Sequence, residues 1–296
     1  MEDKSDIEKY RKENPMDYLK AIELIKNNPT NGEIMKAIYK ITRLHIPDTL
    51  YKYYYLSEDT EENRMRFKTL EDKNIYMSDC KSLNDPFDNK AFFYKGEELR
   101  EYDILKEHNG RLIDDFSSFH RISCFTSNGI NCMPMWAHYS NNHKGYCVEY
   151  SMEDKHNVLL RSCMFPVQYV DKRIDITEVM KKQVEDILSE KEKAIKLRKK
   201  EILINDLTLI WISSYYSCLK HISWSYENEF RCTVAANAKG IPYMNAMPKA
   251  IYIGNKCSEI NKKYLVDIAY TLNVPIYFMG FDEYSSDYEL IPKNIL

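Results

Sequence analysis

Short aromatic runs with a period of two residues are interspersed along this chain with longer runs of helical period, and their order constrains the fold most. Alternation of side chains is typical of strands, and apolar residues every three or four positions are typical of amphipathic helices. The strand-type runs are LYKYYYL at 50–56, NIYMSD at 74–79, residues 119–126, 146–150 and 164–170, WSYENEFRCTV at 224–234, KAIYIGN at 249–255 and VPIYFMGF at 274–281. Helical patterns fall at 60–74 and at 258–273, where Ser258 is the expected N-cap. Because strands and helices do not alternate regularly, the sequence predicts an α+β fold with a mixed or antiparallel central sheet.

The pattern also predicts a division of the chain. Residues 1–47 contain two stretches with apolar residues at helical spacing and a break near Pro29, and we expect them to form an N-terminal helical segment. Residues 48–296 are expected to form a single α+β domain with a long helical insertion at about 171–222. The basic stretch KAIKLRKK in this insertion is interpreted as a solvated helix surface, since charges of both signs lie nearby.

Charge and hydropathy indicate which partners and which cellular location to expect for this chain. The net charge of −3 gives no overall field for nucleic acid, although a local basic patch could still bind phosphate. The N-terminus has no signal-peptide core, and the apolar run at 207–219 is too short and too polar to span a bilayer. We therefore expect a cytoplasmic protein with no membrane partner.

Eight cysteines occur in the chain, and none forms a CxxC pair with another. A chain of 296 residues is far larger than a disulfide-stapled small domain. The expectation is reduced, mostly buried thiols, with no disulfide framework and no metal cofactor.

The loop NDPFD at 84–88 is the first stretch that could carry chemistry. Asn84, Asp85 and Asp88 surround an aromatic residue in a segment rich in turn formers. One interpretation is structural, with Asn and Asp capping turns and Phe87 filling the core. The other is a loop that presents Asn84 and Asp85 to a ligand.

The second stretch is MWAHY, which places Trp136, His138 and Tyr139 in one short helical turn. A histidine beside a tryptophan is often a packed, hydrogen-bonded side chain. The functional interpretation is a stacking platform with a group that bonds a sugar or phosphate. The spacing of His138 and His143 does not fit a helical pair of metal ligands.

The third stretch is WSYENEFR at 224–231. In a strand, Ser225, Glu227, Glu229 and Arg231 would share one face, with Trp224, Tyr226 and Phe230 on the apolar face. Two glutamates at this spacing would be about 7 Å apart and would need solvent or partners. They are either the wet side of an outer strand or a pair that binds a ribose and activates a nucleophile.

Taken together, these stretches resemble the bacterial family known as domain of unknown function 2971. The residues that carry the resemblance, over about 48–295, are LYKY at 50–53, IYMSDCKSLNDPFD at 75–88, ISCFTSN at 122–128, MWAHYSNNHKGYCVEY at 135–150, WSYENEFR and IYIGNKCSEINKKYL at 251–265. That family name supplies no activity.

A second resemblance, to ADP-ribosyltransferases, implies a function. Those enzymes carry a basic residue on an early strand, a serine-rich middle strand and a Glu-x-Glu or single Glu on a late strand, around a nicotinamide dinucleotide cleft. The resemblance assigns cofactor binding to Lys52, Tyr53, Ser123, Thr126, Ser127 and Arg231, and catalysis to Glu229 and Glu227. Trp136, His138, Tyr139, Asn84 and Asp85 would complete the cleft. Lys52 stands where arginine or histidine is expected, and SCFTS differs from Ser-Thr-Ser.

Two functions follow as expectations. One is an ADP-ribosyltransferase-like enzyme that uses NAD as substrate, in a toxin or an antiphage defence effector. The other is a non-enzymatic module that binds a nucleotide or a partner, with the glutamates in structural roles. Both make a small nucleotide the expected ligand and leave the acceptor open.

Overall fold

The computed structural model describes residues 9–10, 12–27, 32–43, 45–58, 60–88, 90–112, 118, 120–199, 215–235 and 242–295. The sequence-predicted strand from 119 therefore begins one residue outside this part of the chain, and residues 200–214 of the helical insertion lie outside it. Among the described residues, no helix combines the length and apolar character that crossing a membrane requires.

The secondary structure is mixed. The helices are α1 (Tyr18–Asn27), α2 (Gly32–Thr42), α3 (Glu61–Glu71), α4 (Gly96–Leu99), α5 (Asp103–Lys106), α6 (Met133–Tyr139), α7 (Val158–Ser162), α8 (Thr177–Lys196) and α9 (Glu259–Leu272). The strands are β1 (Thr49–Tyr54), β2 (Asn74–Tyr76), β3 (Ser78–Asp79), β4 (Phe92–Phe93), β5 (His120–Thr126), β6 (Tyr146–Ser151), β7 (Met164–Pro166), β8 (Gln168–Val170), β9 (Ile174–Asp175), β10 (Leu219–His221), β11 (Glu229–Ala235), β12 (Tyr243–Asn245), β13 (Ala250–Ile253), β14 (Ile276–Gly280) and β15 (Ile291–Asn294). This confirms the predicted α+β class.

Side-chain caps begin two of these helices, and the cap at Ser258 is the one that the sequence predicts. Ser258 adopts extended backbone before α9, and its hydroxyl accepts from the amide of Asn261 at 3.3 Å. Thr60 caps α3 in the same way, through the amide of Asn63. Such caps satisfy amide groups that the first helical turn leaves without partners.

The chain divides into two compact units, each assembled from separate segments. The first comprises residues 1–42, 79–120 and 168–224, and the second comprises residues 43–78, 121–167 and 225–296. The N-terminal helices and α8 thus belong to the first unit.

In the first unit, two short parallel pairs, β4 with β9 and β8 with β10, accompany the helices.

The NDPFD loop belongs to the first unit. Asp85 is buried, and its side chain accepts a hydrogen bond from the amide of Phe87 at 2.9 Å, which is an Asx turn. Phe87 is exposed, so the expectation that it fills the core is wrong. The side-chain turn projects the ring outward. Asp88 is buried 4.0 Å from the Lys220 amine, and Asn84 is exposed.

The second unit is built on a large sheet in the order β15-β14-β13-β6-β1-β5-β11-β7. The pairs of β1 with β5 and β6, of β13 with β6, of β11 with β7 and of β14 with β15 are antiparallel. The pair of β13 with β14 is parallel, because α9 makes the crossover between them. The predicted mixed sheet is therefore confirmed.

Side-chain alternation gives this sheet two different faces. On one, which we call the apolar face, Phe125, Val148, Phe230 and Ile251 join a large core that includes residues of α3 and α9. On the other, which we call the Trp136 face, Tyr53, Cys147 and Tyr252 pack with Trp136 of α6. Side chains at odd and even positions of a strand therefore lie on different faces of the sheet, and a site on one face excludes those on the other.

The WSYENEFR stretch differs from the predicted continuous strand. Residues Ile222–Glu227 form a 3-10 helix, and β11 begins only at Glu229. Asn228, between them, has a φ of 42°, in the left-handed region that interrupts an extended chain. The predicted apolar face is consequently wrong for Tyr226, which is exposed, although Phe230 is buried.

The predicted strand at 164–170 is also divided. It forms β7 in the second unit and β8 in the first, with Val167 between them. The amide of Val167 still donates to the carbonyl of Glu229 at 2.9 Å.

Candidate functional site

The Trp136 face carries a buried ion pair at the start of β11. Phe230 and Cys232 belong to the apolar core, so Glu229 and Arg231 point to the opposite, Trp136 face. Arg231 Nε lies 2.7 Å from Glu229 Oε1, and Nη2 lies 3.1 Å from Oε2. The exposed fractions are 0% for Arg231 and 4% for Glu229. This fork geometry fixes both carboxylate oxygens and supplies the charge that a buried carboxylate requires.

Glu227 is held in a second network just before the strand. Its side chain is 2% exposed and accepts a short hydrogen bond from the Tyr139 hydroxyl of α6. Its backbone carbonyl accepts from Thr126 Oγ1 at 2.5 Å. The end of β5, the 3-10 helix and α6 are thereby tied together.

Two asparagines hold the 3-10 helix against the end of β5. Asn128 Nδ2 donates to the carbonyl of Tyr226 at 2.6 Å, and Asn228 Nδ2 donates to Asn128 Oδ1 at 2.6 Å. The amide of Asn128 also donates to Thr126 Oγ1 at 3.0 Å. These bonds compensate for the left-handed backbone at Asn228.

Helix α6 covers part of the face. Trp136 is fully buried, donates from Nε1 to the carbonyl of Ile130 at 2.7 Å, and meets the ring of Tyr53 edge-on at 5.0 Å. The Tyr53 hydroxyl donates to the carbonyl of Gly129 at 2.6 Å. His138 is exposed, with its ring 6.4 Å from that of Tyr226. Trp136 and Tyr53 therefore form a buried aromatic contact between α6 and the Trp136 face, and His138 lies on the solvent-exposed side of α6.

The turn after α6 is tight. Asn141, Asn142 and His143 all have positive φ values. Gly145 follows, and a Cβ there would lie 1.9 Å from the carbonyl oxygen of Tyr54. Only glycine permits this close approach of backbones.

Lys52 lies on the other side of the sheet. In the β1–β6 register it is opposite Val148, so its side chain enters the apolar face. Its amine donates to the carbonyl of Cys124 at 3.2 Å and lies 5.4 Å from the rings of Tyr54 and Phe125. Burial lowers the pKa of Lys52. The expectation that Lys52 and Glu229 line one cleft is thus not met, because odd and even positions of β1 face opposite ways.

The other residues predicted for the site also lie in different places, some on the apolar face, some on the Trp136 face and some in the first unit. Ser123 is buried on the face of Phe125, and its hydroxyl has no hydrogen-bond partner among the described residues. Thr126 faces the Glu229 side, and Ser127 is exposed beyond the end of the strand. Asn84 and Asp85 belong to the first unit. The structure therefore brings together Glu227, Glu229, Arg231, Thr126 and Tyr139.

Cys124 is adjacent to this group, and its environment disfavours a thiolate. Burial raises the pKa of its thiol, and the negative charge of Glu229 raises it further. All eight cysteines have free thiols.

Sequence reasoning missed a third buried carboxylate on the Trp136 face, Glu149. It accepts from the Tyr252 hydroxyl at 2.6 Å and from the Lys249 amine at 2.5 Å. Beside it, Tyr51 is half-buried, and burial followed by the charge of Glu149 raises the pKa of its hydroxyl to about 12. The period of two in LYKYYYL predicts that Tyr51 and Lys52 face opposite ways, but the strand register that pairs Tyr51 with Glu149 cannot be read from the sequence.

The site thus presents fixed carboxylates and tyrosine hydroxyls on one face of four neighbouring strands, β6, β1, β5 and β11. Carboxylates held in place can accept sugar hydroxyls and stabilise positive charge that develops nearby. Among the described residues, no group of three or more His, Cys, Asp or Glu side chains is arranged to hold a metal ion.

Comparison with known proteins gives one match. No curated protein and no solved structure matches the chain. A family model described as "Protein of unknown function (DUF2971)" matches residues 135–232, a narrower range than the 48–295 over which the resemblance was drawn. This range begins in α6 and ends in β11, and it includes Glu149, Glu227, Glu229 and Arg231. The match confirms the resemblance to this family over residues 135–232.

Proposed function

We propose that this chain uses NAD as a substrate, cleaving the bond between nicotinamide and ribose and transferring ADP-ribose to an acceptor or to water. The observation that carries the proposal is the buried carboxylate of Glu229, fixed by Arg231 on the same sheet face as Thr126 and Tyr51. Nicotinamide leaves with the electron pair of the C–N bond, and the nucleophile's oxygen attacks the same ribose carbon and loses its proton. Positive charge develops on the ribose, and a nearby carboxylate stabilises it.

In this proposal the two glutamates have different roles. Glu229 accepts a ribose hydroxyl and stabilises the sugar cation, because its orientation is already fixed in the free protein. Glu227, with the hydroxyl of Tyr139, orients the nucleophile. The exposed rings of His138 and Tyr226 supply an aromatic edge for the nicotinamide. We place this activity in the bacterial cytoplasm, where consumption of NAD or modification of a target would suit a toxin or an antiphage defence effector.

Substitution of Glu229 tests the proposal. We expect Glu229→Gln to lower kcat for nicotinamide release at least about 100-fold, as does loss of other fixed charge-stabilising groups. Since glutamine removes the negative charge that Glu229 places against Arg231, Glu229→Asp is the companion variant: it keeps the charge and shortens the side chain by one methylene. Nicotinamide release is measured by chromatography, with folding checked by circular dichroism. Undiminished kcat in both folded variants would contradict the proposal.

Lys52→Met is the matched control on the opposite face. We expect it to change the free energy of unfolding by no more than about 1 kcal/mol, since losing a buried charge offsets losing one hydrogen bond. Nicotinamide release should keep the wild-type kcat. A loss of activity as large as that of Glu229→Gln, in a protein of wild-type stability, would show that Lys52 does reach the substrate.

One observation favours a second candidate, a non-enzymatic module that binds a nucleotide or a partner. Both oxygens of Glu229 already bond Arg231, and Glu227 bonds Tyr139, as in purely structural networks. In that case NAD or ADP-ribose would raise the Tm without any release of nicotinamide. The Glu227→Gln, Glu229→Gln double variant would still bind.

A further inference from the structure

A row of polar side chains crosses the Trp136 face at right angles to the strands. In the register of β6, β1 and β5, Glu149 is opposite Tyr51, and Tyr51 is opposite Thr126. The next strand is β11, which begins with Glu229 on the same face. Neighbouring strands are about 4.8 Å apart, so Glu149 and Glu229 are separated by about 14 Å. A ligand that reaches both carboxylates must be longer than one nucleoside.

The Glu149 end of this row has the features of a binding group. Its carboxylate is buried and oriented by the Tyr252 hydroxyl, while the Lys249 amine balances its charge. Two bonds leave further acceptor sites on the carboxylate oxygens. The half-buried Tyr51 lies opposite Glu149 in the strand register. Tyr252 also stacks on Tyr277, with ring centroids 5.2 Å apart, which supplies an aromatic flank.

We propose that Glu149 and Tyr51 bind the second ribose of the dinucleotide, that of the adenosine half. A carboxylate accepts the two hydroxyls of a ribose diol, which is how an acidic residue recognises the ribose of NAD in other folds. The Tyr51 hydroxyl, between Glu149 and Thr126, faces the linkage between the two nucleosides. This inference rests on the proposed use of NAD. It gives a binding role to Glu149, the buried carboxylate that sequence reasoning missed.

Two substrates separate this role from a structural one. Nicotinamide mononucleotide contains the nicotinamide half of NAD and lacks adenosine. We expect Glu149→Gln to raise KM for NAD at least about 10-fold with kcat within about threefold, because a donor group replaces one of the two oxygens that would accept the ribose hydroxyls. Kinetics with nicotinamide mononucleotide should not change. Equal losses with both substrates, or no change with either, would overturn the assignment.

Glu153→Gln is the matched control. Glu153 is an exposed glutamate two residues after the end of β6. Its replacement should change neither the KM for NAD nor the KM for nicotinamide mononucleotide. If Glu149→Gln does not fold, Tyr51→Phe serves instead, with a smaller expected increase of about threefold or more in KM for NAD alone.

Direct binding separates failure of this inference from failure of the proposed function. In calorimetric titration with ADP-ribose, the wild-type chain should bind, and Glu149→Gln should bind at least about 10-fold more weakly. That result supports the subsite even where no nicotinamide is released. Absence of ADP-ribose binding by folded wild-type protein, or equal affinity in the variant, would overturn it.

Discussion

Arg231→Met is expected to lower the free energy of unfolding by about 3–5 kcal/mol. The substitution leaves the Glu229 carboxylate, which is 4% exposed, without the guanidinium that forms two hydrogen bonds to it. A buried carboxylate that loses a paired guanidinium either remains charged at a higher cost or takes up a proton. Urea unfolding of wild type and variant measures the difference.

A double-mutant cycle makes this result specific to the pair. Replacing both partners, as Glu229→Gln with Arg231→Met, should cost less than the sum of the two single changes, since the buried charge and its countercharge are removed together. The exposed pair of Asp103 and Lys106 on α5 provides the control, and Lys106→Met should cost no more than about 1 kcal/mol. A cost below about 1 kcal/mol for Arg231→Met as well would show that the pair is not a buried one.

Trp136→Ala is expected to cost about 3–5 kcal/mol, the range for removal of a large aromatic side chain from a core. The indole is fully buried between Tyr53 and His143, and its Nε1 bonds the carbonyl of Ile130. Alanine would leave a cavity on the Trp136 face and an unsatisfied carbonyl at Ile130. Thermal and urea unfolding both measure the loss.

The comparison variants for Trp136 separate packing from hydrogen bonding. Trp136→Phe keeps most of the apolar volume and loses the Nε1 donor, so its cost should be well below that of alanine. Tyr284→Ala removes a tyrosine that is 97% exposed and should change stability by no more than about 0.5 kcal/mol. If Trp136→Ala were as mild as Tyr284→Ala, α6 would not be packed on the sheet as described.

Local patterns predicted the elements of this fold well. The alternation in LYKYYYL predicted β1, and the helical period after Ser258, with its side-chain cap, predicted α9 and its first turn. These features depend on the period of the chain and on nearby hydrogen bonds, which the sequence contains directly. The mixed sheet followed from the irregular order of strands and helices.

The break at Asn228 was not predictable from alternation. One residue with a positive φ ends the 3-10 helix and starts β11, so Glu227 and Glu229 do not share a strand. Asparagine tolerates this conformation better than most residues, yet it also occurs in extended chains. The bonds that hold it come from Asn128, a hundred positions earlier in the sequence.

The candidate site was only partly predictable for a related reason. The sequence identified Glu229, Glu227 and Tyr139 as candidates, and the structure brings them together. The alternation separates the two faces of β1 and β5 but does not indicate which of them carries the site, and Lys52 and Ser123 lie on the apolar side. Nor could it identify Glu149, because its relation to Tyr51 depends on the register of two strands distant in sequence.

The most direct measurement is the release of nicotinamide from NAD by the purified full chain, followed over time by chromatography, alone and with a cell lysate as a source of acceptors. We predict release of many equivalents of nicotinamide per chain, matched by free or transferred ADP-ribose, and at least about 100-fold slower release by folded Glu229→Gln. Intact NAD after prolonged incubation with folded wild-type protein, with and without lysate, would contradict the proposal that this chain consumes the dinucleotide.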